Sequence, residues 1–289
     1  MIPLKTAAVT FLTASHRFSA FQHASPSRLR SAASVQTPWG WALGGVLLGL
    51  LLSLLVFAPA RWLASAVRQA SHSQVLLEDA RGTLWSGSAQ LSLTGGAGSD
   101  AVARLPSRLF WALQPGVGGM TLQLQTSCCL TQPWHLLLLP RWAGAQLQVS
   151  DTPSTWSAQL LSGLGTPFNT LAPEGQLALS TQGLTLTWAA GRLQLAGQAQ
   201  LDAQDLASRL STLRPMGSYR LTLTGGAVPE LSLVTLQGPL QLSGRGTWVG
   251  GKLRFAGEAS SSPQHQAALS NLLNIIGRRN GARSIIQFG

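Results

Sequence analysis

The stretch VLLEDARGTLWSGSAQLSL, residues 75–93, decides what kind of fold this chain adopts. Ala89, Leu91 and Leu93 alternate with Ser88, Gln90 and Ser92, the period-two pattern of a strand with one buried side. Gly82 and Gly87 bracket Trp85, which predicts a bulge or close backbone approach at each end of a large anchor side chain. The alternation then returns. Met120, Leu122 and Leu124 interleave with Thr121, Gln123 and Gln125; Leu193, Leu195, Ala199 and Leu201 interleave with Arg192, Gln194, Gln198 and Gln200. Tyr219, Leu221 and Leu223 interleave with Arg220, Thr222 and Thr224, and Leu253 and Phe255 follow a Gly250-Gly251 turn. Breaks at Gly95-Gly96, Pro115-Gly116, Gly118-Gly119 and Gly225-Gly226 punctuate the runs. The expectation is a mainly β fold: a curved, meandering, mostly antiparallel sheet with one apolar face and one Gln/Thr/Arg face.

Three segments depart from the alternation and predict short amphipathic helices across the apolar face. Ser154–Leu164 spaces Trp156, Leu160, Leu161 and Leu164 helically. Asp202 is a candidate N-cap for a helix over Ala203–Leu213, stopped by Pro215. Ser262-Pro263 opens Gln264–Ile276, with Ala268, Leu269, Leu272, Leu273 and Ile276 on one side and Gly277 at its end. Ser284–Phe288 is expected to return as a last strand. GTLWSG (Gly82–Gly87) and GTWVGG (Gly246–Gly251) look alike and hint at a duplicated edge hairpin.

Ahead of the strands lies WGWALGGVLLGLLLSLLVFAPA, residues 39–60, uncharged throughout and about the length needed to cross a ~30 Å hydrocarbon layer. Lys5, Arg17, Arg28 and Arg30 precede it with no acidic residue, and every Asp and Glu follows it from Glu78 onward. That asymmetry predicts a cytoplasmic N-terminus and an extracytoplasmic remainder, with Trp39, Trp41 and Trp62 at the two interfaces. The competing reading is a cleaved signal peptide, with Val46–Phe57 as its apolar segment and Ala58-Pro59-Ala60 as a small-x-small cleavage site. Gly45, Gly49 and Ser53 line one helix face, where a second helix could approach closely; glycine is also simply common in membrane helices. The domain plan is a disordered cytoplasmic tail (1–38, or an over-long reading frame), a transmembrane helix (39–60) and a β-rich domain (61–289). Arg61–Ala70 is expected to continue the helix out of the membrane.

A formal charge of +11 invites a nucleic-acid reading, but the arginines are scattered singly along alternating segments with no basic block or known binding module. No nucleic-acid partner is expected. Only nine carboxylates and three histidines (His72, His135, His265) lie beyond the apolar run, without HExxH, GxSxG or P-loop patterns or a ligand set for a metal. These features argue against an enzyme, a cofactor, a metal or a small-molecule substrate; His135, inside an apolar run, reads as a hydrogen-bonded core residue. Cys128 and Cys129 are adjacent, with Cα atoms held near 3.8 Å by a trans peptide, shorter than an ordinary disulfide spans. They can form a vicinal disulfide, pair with another molecule or stay reduced.

Four stretches, GTLWSGSAQL (Gly82–Leu91), GLGTPFNTLAPEG (Gly163–Gly175), LSTLRPMGSYRLTL (Leu210–Leu223) and LLNIIGRR (Leu272–Arg279), resemble the type II secretion system protein N family in kind and order. The resemblance covers about Val75 to Gly289. It implies a short cytoplasmic tail, one inner-membrane helix, a β-rich periplasmic domain, and a non-catalytic role in exporting folded proteins across the outer membrane together with other secretion subunits. The tail of residues 1–38 is longer than that pattern. Arg278, Arg279 and Arg283, after a helix C-terminus, read as caps or as a partner-docking cluster, and Trp85 as a core anchor or docking residue. A module handling lipid or lipoprotein in an open apolar groove is the alternative. An outer-membrane barrel is disfavoured, because the strands are short and an apolar helix of about 20 residues would block export.

Overall fold

The computed structural model describes residues 39–142, 144–249 and 251–289; the expected tail, 1–38, lies outside the described residues. The chain divides into two units, one ending at Leu47 and one running from Leu48 to Gly289, and the sheet belongs wholly to the second.

Helix α1 (Trp39–Val56) carries the apolar run, and none of its residues is buried. A helix that is apolar all round suits lipid rather than a sheet face. Pro59 has no N–H with which to continue a helical ladder, and Phe57–Pro59 separate α1 from a second helix, α2 (Ala60–Ala70). The expected extension of α1 is therefore a distinct amphipathic helix.

The strands follow as β1 (Val75–Gly82), β2 (Ser86–Thr94), β3 (Val102–Arg104), β4 (Leu109–Gly116), β5 (Gly119–Gln125), β6 (Trp134–Arg141), β7 (Gly144–Val149) and β8 (Ser154–Ser157). After a 3-10 segment (Ala158–Leu164) and α3 (Phe168–Leu171) come β9 (Glu174–Ala189), β10 (Arg192–Ala207), β11 (Gly217–Gly226), β12 (Glu230–Gln237), β13 (Leu240–Val249) and β14 (Lys252–Ser261). Helix α4 (Gln266–Ile276) leads to β15 (Arg278–Asn280) and β16 (Arg283–Phe288). All pair in one antiparallel sheet, ordered β1-β2-β4-β5-β6-β7-β9-β10-β11-β12-β13-β14-β16-β15, with β3 on β2 and β8 on β9. The sheet is not closed.

Directly paired residues share a face, so the apolar face can be followed by register. It runs from Leu124↔Trp111 and Leu122↔Leu136 through Leu138↔Leu147 and Leu147↔Leu186 to Leu186↔Leu195. Within β9 the apolar positions slip from odd (Leu177, Leu179) to even (Leu186, Trp188). A bulge at Gly183 absorbs the extra residue, so Leu179 pairs with Leu201 while Leu186 pairs with Leu195 on the same face. Two clusters bury parts of this face. Near one edge α2 brings Ala60 and Leu63 onto Ala89, Trp111, Leu122 and Leu124. Near the other, Leu269, Leu272 and Leu273 of α4 cover Met216, Tyr219, Leu240 and Ala259. Burial raises the Tyr219 hydroxyl above its ordinary pKa, and that hydroxyl donates to the Leu240 carbonyl at 3.1 Å. Between the clusters Leu136, Leu147, Leu186 and Leu195 are only half-buried, and Leu138 is exposed.

Several expectations are corrected. Ser154–Ser157 is a strand, β8, and only Ala158–Leu164 is helical, as a 3-10 segment. No helix forms over Ala203–Leu213: β10 runs through Asp202 to Ala207, because Leu201 and Ala203 continue its alternation and Asp202 pairs across to Arg220. Leu206, Leu210 and Leu213 still reach the core. Gly277 ends α4, as expected, and does so in extended backbone that leads into β15. GTWVGG lies in the β13–β14 hairpin, which is interior to the strand order, unlike β1–β2. His135 is exposed, opposite Gln123 on the polar face. The strand at Ser284–Phe288 and the α4 core face are as expected.

Candidate functional site

The most constructed local feature joins the β1–β2 turn to the end of α1. The last carbonyls of a helix have no intrahelical donor. Here the Trp85 indole Nε1 donates to the Leu55 carbonyl at 2.9 Å, and the Leu84 amide donates to the Ala58 carbonyl at 2.7 Å. Pro59 bridges Thr83, and Ala58 and Ala60 are buried beneath the turn. The turn is held from behind: the Trp111 Nε1 donates to the Leu84 carbonyl at 3.2 Å, and the Leu113 amide to the Trp85 carbonyl at 2.6 Å. Gly87 is required, since a Cβ there would lie 2.5 Å from the Trp111 ring and 2.4 Å from the Arg81 carbonyl.

Beside the turn, β1 bulges at Asp79, whose φ is +49°. Arg108 Nη1 donates to the Asp79 carboxylate and Nη2 to its carbonyl, both at 2.8 Å. Those hydrogen bonds from Arg108, then from Arg81, hold the exposed Asp79 carboxyl below its ordinary pKa. Glu78 pairs with Arg104 at 3.1 Å, Glu174 with Arg214 at 2.6 Å and Glu258 with Arg283 at 3.2 Å. Asp202 receives Arg220 through two contacts of 2.7 and 2.8 Å, which lower its pKa. Asp202–Arg220 and Glu258–Arg283 join neighbouring strands, whereas Asp79 and Glu174 hold arginines of the loops before β4 and β11.

The residues singled out from sequence fall in four places. Trp85 sits at the α1 junction, half-buried and engaged. Arg278, Arg279 and Arg283 occupy β15 and β16 at the far end of the strand order. Arg279 donates to the Gly281 carbonyl at 2.7 Å and toward Ser270 and Asn274, and Arg283 meets Glu258; the Arg278 side chain makes no hydrogen bond or ion pair among the described residues. A cleft of about 650 Å³ between the end of α4 and β16 is lined by Arg278, Arg279 and Ile286. Cys128 and Cys129, in the β5–β6 loop, are bonded to each other. That loop is tied down where Thr155 of β8 donates to the Cys129 carbonyl at 3.0 Å and the Cys128 amide donates to Ser107 at 3.2 Å. A Cβ added at Gly45 or Gly49 would meet no atom within 4 Å, so that small-residue face is open. Sequence reasoning missed the capping of α1 by Trp85, although a large indole between two glycines, needing a partner for its N–H, was the available signal.

The fold and junction define a class: an open antiparallel sheet preceded, among the described residues, by one helix long and apolar enough to cross a membrane. The family model for type II secretion system (T2SS) protein N matches residues 73–286, from just before β1 into β16, and the chain belongs to that family. Its role is in type II secretion. No curated protein and no solved structure matches the chain.

Proposed function

We propose that the chain is a non-catalytic inner-membrane component of the type II secretion apparatus, with α1 as its anchor, an N-terminus in the cytoplasm and residues 61–289 in the periplasm. The observation that carries this reading is the family match joined to a helix whose end is locked to the sheet by Trp85 and Leu84. Its partners are other secretion subunits, met at the β15–β16 edge, where Arg278 is uncommitted beside the cleft at the end of α4. The test is site-specific photo-crosslinking from Arg278 in secreting cells. Capture of identified secretion subunits supports the reading; capture of lipid, or of nothing, overturns it.

One observation favours a second reading, a lipid-handling groove: the row Leu136, Leu138, Leu147, Leu186 and Leu195 lies between the two covered ends of the apolar face and is at most half-buried. Co-purified acyl lipid that is lost on Leu147→Glu would move the weight to that reading.

A further inference from the structure

We propose that one rim of the sheet, formed by its hairpin turns, rests on the anionic lipid surface of the same membrane that α1 enters. The inference depends on the reading of α1 as an anchor.

The rim is defined by topology. Every pairing in the sheet is antiparallel, so β1, β4, β6, β9, β11 and β13, which occupy alternate places in the strand order, run in one direction. The turns β1–β2, β4–β5, β6–β7, β9–β10, β11–β12 and β13–β14 therefore all lie on one rim. The β1–β2 turn is the one that holds the Leu55 and Ala58 carbonyls, so α1 ends at this rim. From Leu48 to Phe57 the chain is exposed rather than laid across the sheet. Ser86, at the base of that turn, pairs with Ala112, and Val117 lies five residues further along, about 16 Å at the rise of a strand. The neighbouring turns thus reach past the point where the helix is held.

Gly118, Gly191, Gly226, Pro229 and Gly251 in these turns follow from turn chemistry, which favours Gly, Asn, Asp, Pro and Ser; the exposed apolar side chains among them do not. Val117 tips β4–β5 and Trp142 tips β6–β7, each fully exposed. Trp188 and Leu193 flank β9–β10, Val228 lies in β11–β12 and Val249 ends β13, all exposed. Beside them Arg141 ends β6, Arg192 opens β10 and Lys252 opens β14; the acidic residues near these strand ends are Glu230, which opens β12, and Asp79, which is held by Arg81 and Arg108. Indoles and short aliphatic groups at exposed tips, interleaved with cations, match a headgroup layer: the ring enters the interface and the guanidinium stays with phosphate. A protein partner at this rim is the competing outcome of the test.

The experiment uses the full chain in proteoliposomes of phosphatidylcholine with phosphatidylglycerol, labelled with an environment-sensitive fluorophore on Trp142→Cys, Val117→Cys, Leu236→Cys or Ser53→Cys, with the parent chain as labelling background. Leu236 is an exposed position in β12 far from the rim, and Ser53 reports the anchor. Labels at Trp142 and Val117 are expected to shift to the blue and to be quenched several-fold more by shallow nitroxide lipids than the label at Leu236. Replacing phosphatidylglycerol by phosphatidylcholine is expected to weaken that quenching, and equal quenching in both would overturn the anionic preference. A quenched Ser53 label with Trp142 as water-exposed as Leu236 overturns the rim proposal alone. An unquenched Ser53 label overturns the anchor reading itself. Trp142 water-exposed in liposomes but protected in membranes of secreting cells would assign the rim to a protein partner and overturn the proposal.

Discussion

The indole N–H of Trp85 closes a 2.9 Å hydrogen bond on the backbone carbonyl of Leu55, thirty residues earlier, and so caps a helix end with a β-turn. Two groups that would otherwise lack partners, a helix-terminal carbonyl and an indole N–H, satisfy one another. Trp85→Phe keeps an aromatic side chain but removes the donor and part of the ring, so it is expected to cost about 0.5–1.5 kcal/mol for the hydrogen bond, with the lost ring contacts added. Amide exchange should speed up at Leu84 while the α4 region stays protected. Unchanged exchange at Leu84 would show that the turn does not depend on the indole.

The pair between Asp202 and Arg220 predicts an acid dependence. Arg220 holds the folded Asp202 pKa below its ordinary 3.8, so the stability it contributes is present above that value and lost as pH falls through the folded value. Asp202→Asn is expected to be less stable than the parent at pH 7, with the gap closing as pH drops below about 4. Urea midpoints at pH 7 and pH 3 check this; a gap of equal size at both would rule out the ionised pair as its source.

Leu273 is wholly buried among Met216, Tyr219 and Leu240. Leu273→Ala should lose about 2–5 kcal/mol, transfer and cavity terms together. Denaturation followed by tryptophan fluorescence measures it, and a loss under 1 kcal/mol would mean that α4 is not a structural lid.

Gly197 faces the Gly183 bulge with φ +82°, and a Cβ there would sit 2.3 Å from the Gly183 carbonyl. Gly197→Ala is expected to cost about 1–3 kcal/mol from backbone strain alone, with the clash added. Gly191→Ala, at φ +74° in an open turn, carries strain without the clash and should cost less. Equal urea midpoints for the two variants would refute the close approach.

The bond between Cys128 and Cys129 predicts that the peptide containing both is 2 mass units lighter than the dithiol when isolated without reductant, as loss of two hydrogens requires. Alkylation should fail at both cysteines until reductant is added. A doubly alkylated peptide from untreated protein would show that the thiols are free.

Local pattern determined a great deal of this molecule. The alternation at Ala89–Leu93 and Tyr219–Leu223 specified strands and their two faces, because side chains in extended backbone alternate with a period of two. The uncharged run at Trp39–Val56 specified an apolar helix, and Ser262-Pro263 with Leu269, Leu272 and Leu273 specified α4. What only the tertiary structure decided were matters of partners distant in sequence. Asp202 has the chemistry of an N-cap, and pairing with Arg220 across a strand is what kept it in a sheet. The odd-to-even slip between Leu179 and Leu186 becomes one continuous face only when β10 lies opposite the bulge. Trp85 found its acceptor thirty residues away, and the turns at Val117, Trp142 and Lys252 became neighbours on one rim only through strand order. Propensity and periodicity act within a few residues; register, capping and shared rims depend on which segments meet, and no local window of the chain holds that information.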